Sequence, residues 1–570
     1  MLQPVYNQLN VTFMARPFAI LLVLAAIAAV ALAQEGQLAI ELRVTPDATE
    51  LELDAAARTV ADQLGAQLVG RIGRVRGAYL LQLPEDDGSE HHERRARSLP
   101  DVAYAALQTP VVRTTREVYF EDPLFPAQWH LQDSSGHSIG AEGAWQKGLA
   151  GDGVLVAVVD DGLYRSHADI WPNYSAHCSY DYVRRRLDPA PTPGDRHGTR
   201  CAGEIAAAAN AECGVGVAYR ARLAGVRLLG GTATDATEAE ALNHCLDASG
   251  LEHVAVYSNS WGPPDDGRTI DGPQHMAAAA LAVGARDGRG GRGAVYVWAA
   301  GNGGENDNCN MDGFANSPYT ITVGALADND RAPYYQEPCA AMLVVAYSSG
   351  GSRAIATTDA PTGCTASHGG TSAAAPLVAG VVALILQSRP ELTARDIQWV
   401  LALTARRVHA AVPGTKDNAF GLAFHPLYGF GVVDAAAAVA LASEFALVAP
   451  EVVFRSDVYA PSVGMVSIAV PDTADTPAHV EHAIVTVRTS RGHRGDTAFF
   501  LVSPAGTQVQ LLTYRPHDRT TDGLQDWALS TVAMWGEHAA GNWMVRMEVV
   551  PGASVSLDSV SLEVRGAAGV

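Results

Sequence analysis

The sequence predicts a layered α/β domain at its centre, a small α+β unit before it and an all-β sandwich after it. The central prediction depends on three continuous apolar runs, at residues 154–159, 294–299 and 319–323. Runs without polar interruption are typical of parallel strands that are buried on both faces. Helical patterns at 202–209 and 374–387 lie between or after these runs, which gives the alternation of strand and helix expected of an α/β domain.

Length and composition limit the class of protein. The 570 residues exceed the roughly 250 to 300 that one hydrophobic core supports, so we expect two or three domains. A hydrophobic fraction of 48% with 18% charged residues excludes disordered, fibrous and multi-span membrane proteins. The 40 Lys and Arg against 61 Asp and Glu leave a net charge of -21, which disfavours nucleic acid and favours cationic partners.

The first segment has the pattern of a signal peptide. Residues 18–30 form an apolar run that follows Arg16 and precedes Ala31-Leu32-Ala33, a small-residue cleavage site. We therefore expect a signal peptide over residues 1–33, with Met14 as an alternative start and an uncleaved anchor as the alternative interpretation. No later stretch approaches the roughly 20 apolar residues of a membrane helix. The mature protein is expected to be soluble, in the secretory pathway (a Golgi-type compartment) or secreted.

Residues 34–116 predict the small mixed unit. Strands are expected at 38–42 and 78–83, with a helix at 55–64 between them. The unit ends in two basic clusters, at 91–97 and 113–116, and each contains Arg-x-x-Arg. These clusters offer cleavage sites after Arg97 and Arg116 in polar segments that a protease reaches. The alternative interpretation is a solvated charged loop.

After about residue 448 the apolar pattern changes to period two. Residues 543–549, 555–558 and 560–564 alternate apolar with polar side chains, and 499–511 has the pattern strand, turn, strand. A β-sandwich of roughly 120 residues fits this pattern.

Cysteine spacing and one sequon add chemical expectations. Seven cysteines leave at least one free thiol in an oxidising compartment, and no Cys-x-x-Cys pair supports a zinc ribbon or a thioredoxin-type site. The tripeptide Asn173-Tyr174-Ser175 has the pattern of an N-glycosylation acceptor, so Asn173 is a predicted glycosylation site.

Three residues have the types needed for nucleophilic catalysis. Asp160 follows the apolar run 154–159, at the carboxyl end of a strand, where open α/β sheets place their sites. His197 precedes an Ala-rich helix, and Ser372 stands at the start of the helix predicted over 374–387. A serine hydroxyl needs a neutral imidazole to take its proton, and the imidazole needs a carboxylate that fixes its tautomer. Any one of these residues alone has a structural explanation, and the hypothesis rests on all three.

Asn302 adds a fourth element. It stands in Trp298-Ala-Ala-Gly-Asn-Gly-Gly304, just past an apolar strand, where its side-chain amide can donate to an oxyanion. A phosphate-binding loop is the alternative, but the segment lacks the Lys and the Ser or Thr that such loops use.

These segments resemble the active-site blocks of subtilases, specifically the kexin and furin branch of the proprotein convertases. The triad order Asp, His, Ser is that of the subtilisin type. The matching blocks are Asp160-Asp161-Gly162, Arg196-His-Gly-Thr-Arg-Cys201, Ser260-Trp-Gly-Pro-Pro-Asp-Asp-Gly267, Trp298 to Gly304, Thr371-Ser372, Arg515-Pro-His-Asp518 and Gly523-Leu-Gln-Asp-Trp527. The resemblance implies a propeptide and inhibitor at 34–116, a subtilisin-like peptidase domain at 117–447 and a β-sandwich P domain at 448–570.

The resemblance also implies a preference for basic substrates. It assigns Asp265 and Asp312 to the pocket for the residue before the cleaved bond, Asp161 to the next pocket, and Glu238 with Asp271 to a pocket further out. Carboxylates in fixed positions suit an arginine guanidinium, because an unpaired buried charge is costly. Thr232, Pro264 and Gly194 stand where furin-like enzymes carry further acids, and Phe314 stands where the family has a tyrosine. We therefore expect a firm need for Arg at the cleaved position and more tolerance beyond it.

Calcium is the cofactor that the resemblance implies, at two sites. Asp122, Asp169 and Asn210 form the first site, and Asp265, Asp307 and Glu337 form the second, behind the arginine pocket. Oxygen ligands of this kind suit a hard cation. A third family site is not expected, because its loop contains three arginines at 184–186, which repel calcium.

Further expectations complete the hypothesis of a precursor-processing serine endoprotease. The resemblance pairs Cys309 with Cys339 and Cys213 with Cys364, leaves Cys201 free, and leaves the pairing of Cys178 and Cys245 open. The expected partners are precursor proteins with Arg-x-x-Arg or Lys/Arg-Arg sites and the protein's own propeptide, with no nucleic acid, and we expect a monomer. The alternatives are a broad-specificity degradative subtilase and a catalytically inactive binding protein.

Overall fold

A computed structural model describes residues 36–84, 89–109, 118–246, 253–408, 412–461 and 464–569. The chain divides into two compact units, Met1–Arg116 and Glu117–Val570. The predicted signal peptide at 1–33 and the predicted cleavage site at Arg116 lie outside the described residues.

The first unit is a four-stranded antiparallel sheet with two helices. The sheet has the order β2-β3-β1-β4, and the elements are β1 (Gln37–Leu42), α1 (Glu50–Leu64), β2 (Gln67–Arg71), β3 (Ala78–Gln82), α2 (Ser89–Ser98) and β4 (Val102–Leu107). Helix α1 begins before the predicted residue 55 because Thr49 and Glu52 form a capping box, and it ends at Gly65, which has φ 67°. Leu38, Ile40 and Leu81 of the sheet pack with Leu53 of α1 in one core.

The basic cluster at 91–97 lies in helix α2, so the alternative interpretation of a solvated charged loop is wrong there, and cleavage after Arg97 stays a prediction. His92 and Ala96, four residues apart, are buried and form one stripe of α2, and the arginines point to the opposite faces. Arg97 pairs with Glu93 at 2.6 Å, and its Nε donates to the carbonyl of Ala105 at 2.8 Å. Because a protease needs an extended strand of substrate, cleavage after Arg97 requires this helix to unwind.

The second unit begins with the predicted parallel sheet. Its seven strands have the order β11-β10-β9-β8-β5-β7-β6, and every pairing is parallel. The strands are β5 (Leu155–Asp160), β6 (Tyr180–Asp181), β7 (Arg222–Arg227), β8 (Val256–Asn259), β9 (Val295–Ala299), β10 (Thr320–Leu326) and β11 (Met342–Tyr347). Strands β5, β8, β9, β10 and β11 are buried along their whole length, as the apolar runs predict for β5, β9 and β10.

Helices cover this sheet, and short hairpins lie beside it. The helices are α3 (Ala141–Trp145), α4 (His197–Ala206), α5 (Asp235–Leu242), α6 (His275–Gly291), α7 (Thr371–Ser388), α8 (Ala394–Thr404) and α9 (Ala435–Ala442). The remaining strands are β12 (Ile355–Asp359), β13 (Gly363–His368), β14 (Lys416–Asp417) and β15 (Ala423–Phe424). Among the described residues, α7 is the helix long and apolar enough to cross a membrane, and 83% of it is buried inside the protein. It is the central helix of the core and contacts β8, β9 and β10.

The C-terminal part is the predicted sandwich of two four-stranded antiparallel sheets. The first sheet, in the order β16-β23-β18-β21, contains β16 (Glu451–Arg455), β18 (His479–Ser490), β21 (Trp527–Thr531) and β23 (Ser556–Ala567). The second, in the order β17-β22-β19-β20, contains β17 (Met465–Val470), β19 (Thr497–Val502), β20 (Gln508–Leu512) and β22 (Gly541–Val549). The sequence predicts two short strands over 555–564, and the structure has the single strand β23.

Buried polar contacts join the sandwich to the α/β domain. Asn310 donates to the carbonyls of Leu511 at 2.7 Å and Ser530 at 3.1 Å, and Trp527 Nε1 donates to the carbonyl of Asn310 at 2.6 Å. Arg395 binds both carboxylate oxygens of Glu481 at 2.8 and 2.7 Å. Because an unpaired polar group in such an interface is costly, these contacts fix the register of the two domains.

Candidate active site

Strand β5 and helix α4 bring Asp160 and His197 together. His197 Nδ1 lies 2.9 Å from each carboxylate oxygen of Asp160, and the Asp160 side chain is 1% exposed. The Asp160 carboxylate raises the pKa of His197 well above its ordinary value. A Cβ at Gly198 would lie 2.9 Å from Asp160 Cβ and 2.4 Å from the Gly162 carbonyl oxygen, so only glycine permits this approach. The arrangement holds one imidazole tautomer, with Nε2 left for a second partner.

Ser372 stands in the first turn of α7. Its hydroxyl donates weakly to the Ser260 carbonyl at 3.4 Å. Pro376 lies four residues further, in the second turn of α7, and has no N–H for the Ser372 carbonyl. That carbonyl instead accepts from Ser260 Oγ at 3.1 Å and contacts Cys201 Sγ at 3.5 Å. Because Pro376 has no N–H to donate, the Ser372 carbonyl contacts Ser260 and Cys201, which lie on two neighbouring segments.

Asn302 follows β9 and faces the start of α7. Its Oδ1 accepts from the backbone N–H of Thr371 at 2.8 Å and from the Thr371 hydroxyl at 3.1 Å. These bonds fix the orientation of the amide, whose Nδ2 makes a long hydrogen bond of 3.5 Å to Asp265 Oδ2. A fixed donor of this kind is what an oxyanion requires.

Four acids surround one small cavity beside Asn302. Asp265, Asp307, Asp312 and Glu337 all line it. Burial raises the pKa of Asp312 to about 7, and burial together with Asp307 and Asp265 raises the pKa of Glu337 well above its ordinary value. Because buried like charges destabilise one another, this cluster fits cationic partners.

The four acids divide into two expected roles. Asp307 and Glu337 accept the backbone N–H groups of Gly267 and Gly303 at 2.8 Å each, and Asp307 also accepts from Arg515 Nε at 3.0 Å. Asp265 stands between the expected ion ligands and Asp312, and its pKa is raised by burial and by Asp307. The geometry fits a calcium ion held by Asp265, Asp307 and Glu337, which would neutralise the cluster when bound.

The acids expected in the outer pockets have different surroundings. Asp271 adjoins Asp312 through a backbone bridge, and burial and Asp271 raise the pKa of Glu238. These three form one acidic track. Asp161 instead accepts backbone N–H bonds from Arg196, His197 and Gly198 at 3.0, 2.9 and 2.8 Å. Its carboxylate therefore caps the helix that carries His197, a function that sequence reasoning missed.

The first expected calcium set also converges. Asp122 accepts from the backbone N–H of Asn210 at 3.1 and 3.2 Å, and Asp169 is fully buried. Within the described part of the chain, neither carboxylate oxygen of Asp169 has a hydrogen-bond partner, and burial raises the pKa of Asp169 to about 6. A buried carboxylate without a donor is a site that a divalent cation fits.

Arginines occupy the loop of the third family site. Arg227 is fully buried and binds Asp181 at 3.3 Å, and Arg184 and Arg186 approach the same carboxylate at 3.4 and 3.5 Å. Guanidinium groups thus neutralise Asp181.

Three disulfides lie in the α/β domain. Cys213 bonds to Cys364, Cys309 to Cys339 and Cys178 to Cys245, and Cys201 is a buried free cysteine. The first two pairings are those that the resemblance implies, and the third was left open.

The expectation of glycosylation at Asn173 is wrong for the folded protein. Asn173 is 9% exposed, and its Nδ2, the atom that would carry the glycan, donates to the carbonyls of Ala206 at 2.9 Å and Tyr219 at 2.8 Å. A glycan would replace one of the two amide hydrogens and so break one of these buried hydrogen bonds.

Comparison with known proteins identifies this arrangement. The sequence pattern of the "Subtilase family" matches residues 151–431, and that of the "Proprotein convertase P-domain" matches residues 480–564. The chain belongs to the subtilase family. This finding confirms the resemblance and the fold class expected from the sequence, and it identifies the α/β part as a serine endopeptidase domain.

Relatives of this subtilase include furins. Furin of Homo sapiens is 42% identical over 480 residues, which are 81% of this chain and 60% of that protein. Furin of Mus musculus is 40% identical over 515 residues, 87% of this chain and 64% of that protein. Proprotein convertase subtilisin/kexin type 5 of Rattus norvegicus is 38% identical over 534 residues, 87% and 29% of the two chains. The subtilase chain therefore spans less than two thirds of the length of these relatives.

A solved structure shares the fold. The serine protease of Aeromonas sobria superposes with a TM-score of 0.72 at 24% sequence identity, over 80% of this subtilase and 97% of that chain.

Sequence reasoning missed Glu204 and His368, which lie beside His197. Glu204 Oε1 lies 2.9 Å from His368 Nδ1, and the His368 ring lies 5.6 Å from that of His197. Glu204 is two turns of α4 after His197, and His368 precedes Ser372 by four residues. The available signal was a charged residue on the buried face of an Ala-rich helix.

Proposed function

We propose that this subtilase is a calcium-dependent endoprotease that cleaves precursor proteins after arginine. The observation that carries the proposal is the convergence of the Asp160–His197 pair, Asn302 and Ser372 beside a cluster of four acids, of which Asp307 and Glu337 are buried. The match to furins over more than 80% of the chain supports it.

The proposed reaction uses four side chains. His197 accepts the Ser372 proton at Nε2 while the hydroxyl oxygen attacks the scissile carbonyl, and Asp160 stabilises the imidazolium that forms. Asn302 Nδ2 donates to the oxyanion. The proton then passes from His197 to the leaving amine, and water later releases the acyl group from Ser372.

The preference for arginine follows from charge. Asp265 and Asp312 supply two carboxylates next to Asn302, and burial disfavours their charge until a cation arrives. A guanidinium supplies that cation and forms paired hydrogen bonds. The acidic track from Asp312 through Asp271 to Glu238 supports recognition of a second basic residue, further from the cleaved bond, with more tolerance than at the cleaved position. This pattern fits Arg-x-x-Arg sites.

Calcium is proposed at the two oxygen-rich sets, Asp122 with Asp169 and Asn210, and Asp265 with Asp307 and Glu337. Bound calcium supplies positive charge that neutralises these carboxylates. The protein would then hold Asp265 in place beside the arginine pocket.

Self-processing is proposed at Arg116, within the secretory pathway. Arg113-Thr-Thr-Arg116 presents an Arg to each of the two acidic pockets, and the unit at 34–116 would act as chaperone and inhibitor. Ser372→Ala should leave the precursor intact. A mature chain starting at Glu117 from that variant, with no other protease present, would show that self-processing is wrong.

The decisive experiment combines active-site labelling with substrate profiling. A fluorophosphonate should label the mature enzyme and not Ser372→Ala, and a peptide library should show cleavage after Arg. Asp312→Asn should lower kcat/KM for Arg substrates by about 100-fold, because a buried guanidinium loses one charged partner. Asp266→Asn, which changes an exposed neighbour of Asp265, is the matched control.

The rivals give different results in the same experiment. Labelling without a preference for Arg would indicate a broad-specificity degradative subtilase. A folded protein that no fluorophosphonate labels would indicate a catalytically inactive binding protein.

A further inference from the structure

A second histidine–carboxyl pair lies directly behind the catalytic histidine. Glu204 on α4 and His368 at the end of β13 join through Oε1 and Nδ1 at 2.9 Å, and their side chains are 0% and 5% exposed. The His368 ring meets the His197 ring edge to face, with an interplanar angle of 82° and centroids 5.6 Å apart. The pair therefore contacts the imidazole on a side that Asp160 does not occupy.

Burial determines the charge of this pair. It raises the pKa of Glu204 well above its ordinary value and lowers the pKa of His368 well below. Both directions favour a neutral carboxylic acid that donates its proton to Nδ1 of a neutral imidazole. In the described part of the chain, Glu204 Oε2 and His368 Nε2 have no hydrogen-bond partner. The bond between Oε1 and Nδ1 is therefore the hydrogen bond that compensates the burial of these two polar side chains.

The neighbouring charged groups are already compensated. Arg200, on the same helix, binds both oxygens of Asp359 on β12 at 2.9 and 2.8 Å. Burial raises the pKa of the Cys201 thiol to about 11, which keeps it neutral. Asp160 is then the carboxylate in hydrogen-bond contact with His197.

A neutral pair suits the task of His197. During acyl transfer His197 becomes positively charged, and an imidazolium at His368 would oppose that charge at 5.6 Å. A neutral ring edge against the imidazole face instead restricts its rotation, which keeps Nδ1 on Asp160 and Nε2 available to Ser372. Placement of this kind matters because small displacements of a catalytic group cost large factors in rate.

We propose that Glu204 and His368 are positioning residues, a neutral hydrogen-bonded pair that holds the His197 ring in its catalytic orientation without adding charge beside it. The proposal rests on the proposed protease function, because it assigns a role in that reaction.

The test compares Glu204→Ala, Glu204→Gln and His368→Phe. Glu204→Ala should lower kcat by about 10- to 100-fold with KM within about twofold, because the His368 ring loses its anchor. Glu204→Gln should recover most of that loss, because its neutral amide N–H donates to Nδ1 as the carboxylic acid does. His368→Phe keeps the ring edge and loses the hydrogen bond, so it should fall between the two.

A measurement without turnover separates this proposal from the proposed function. In the Ser372→Ala background, NMR of 13C-labelled histidine should give His197 the same pKa with Glu204 and with Glu204→Gln. Wild-type protein that does not hydrolyse peptides would refute the proposed function, and the NMR comparison would still decide the pair.

Three results would overturn the proposal. These are full kcat in Glu204→Ala, a Glu204→Gln variant as slow as Glu204→Ala, and a shift of the His197 pKa on Glu204→Gln, which would mean that the pair is ionised. Unfolding temperatures of all variants are measured in parallel. If Glu204→Ala does not fold, Glu204→Gln and His368→Phe provide the same decision.

Discussion

Removal of calcium should lower the free energy of unfolding of the second unit by the calcium-binding free energy of the two proposed ion sites. Buried carboxylates without a cation repel one another, so calcium binds the folded state and not the unfolded chain. With a dissociation constant of about 10⁻⁴ M, 10 mM calcium stabilises each site by about 2.7 kcal/mol. Two sites give about 5 kcal/mol, which for a unit of this size corresponds to a fall in unfolding temperature on the order of 5 to 10 °C on chelation.

Glu337→Gln isolates the site behind the arginine pocket. The variant removes one of the clustered charges. Its free energy of unfolding should therefore match or exceed that of the wild type in chelator and be lower than that of the wild type in calcium. Its calcium-dependent stabilisation should be about 2.7 kcal/mol smaller. Glu305→Gln, at an exposed position two residues before Asp307, is the control and should follow the wild type.

The stabilisation of the folded protein by calcium should depend on pH in a definite direction. In the metal-free folded protein, Asp312 with a pKa of about 7 and Asp169 with a pKa of about 6 take up protons that the unfolded chain takes up only near pH 4. The metal-free form is therefore stabilised by these groups as pH falls from 8 to 5, and calcium must displace the proton of Asp169, which is a proposed ligand. Buried His130 and His482, with pKa values lowered to about 3, destabilise both forms equally at low pH.

Scanning calorimetry in 10 mM calcium and in excess chelator, at pH 5 to 8, measures these differences. Peptide hydrolysis should be lost on chelation and return with calcium. An unfolding temperature that does not respond to calcium, or full activity after exhaustive chelation, would refute both calcium assignments. A calcium gain in Glu337→Gln equal to that of the wild type would refute the second site alone.

Three further predictions follow from single contacts. Arg515→Met should lower the free energy of unfolding by about 3 to 5 kcal/mol in chemical denaturation, because the buried Asp307 loses its arginine and the buried Asp518 keeps only Arg494, whereas Arg519→Met, at a side chain 62% exposed, should change it little; equal effects would contradict this reasoning. Cys201 should react with iodoacetamide only after unfolding, and peptide mapping that finds it in a disulfide would disprove the arrangement. His91→Leu with His92→Leu should move propeptide release, followed by gel filtration from pH 7.5 to 5, to lower pH than in the wild type, because the change removes both histidines of the basic helix α2, of which His92 is 4% exposed; identical midpoints would exclude a role of these histidines.

Local patterns of apolar and polar residues were sufficient to predict the architecture of the domains. Continuous apolar runs predicted the buried strands β5, β9 and β10 to within one residue at their starts, because a strand covered on both faces leaves no position for a polar side chain. The alternation of apolar and polar residues predicted the sandwich, because a strand covered on one face only leaves every second side chain to the solvent. The boundary of α4 was placed late, since its first turn, His197 to Arg200, is polar and is held by the Asp161 cap rather than by apolar periodicity.

Residue type and order also selected the residues proposed for catalysis. Asp160, His197, Asn302 and Ser372 stand at strand or helix ends, where the sequence shows small residues that permit close approach. Their chemistry requires those side chains, so type and position together were informative.

Tertiary structure decided what these residues do to one another. It placed Asp161 under the helix of His197, turned the arginine cluster at 91–97 into a helix, buried the amide of Asn173, and brought Glu204 to His368 over 164 positions of chain. Each outcome depends on which partner lies across a packed interface and on how much water remains there. Those quantities set hydrogen bonding and pKa, and they come from contacts distant in sequence that no local pattern contains.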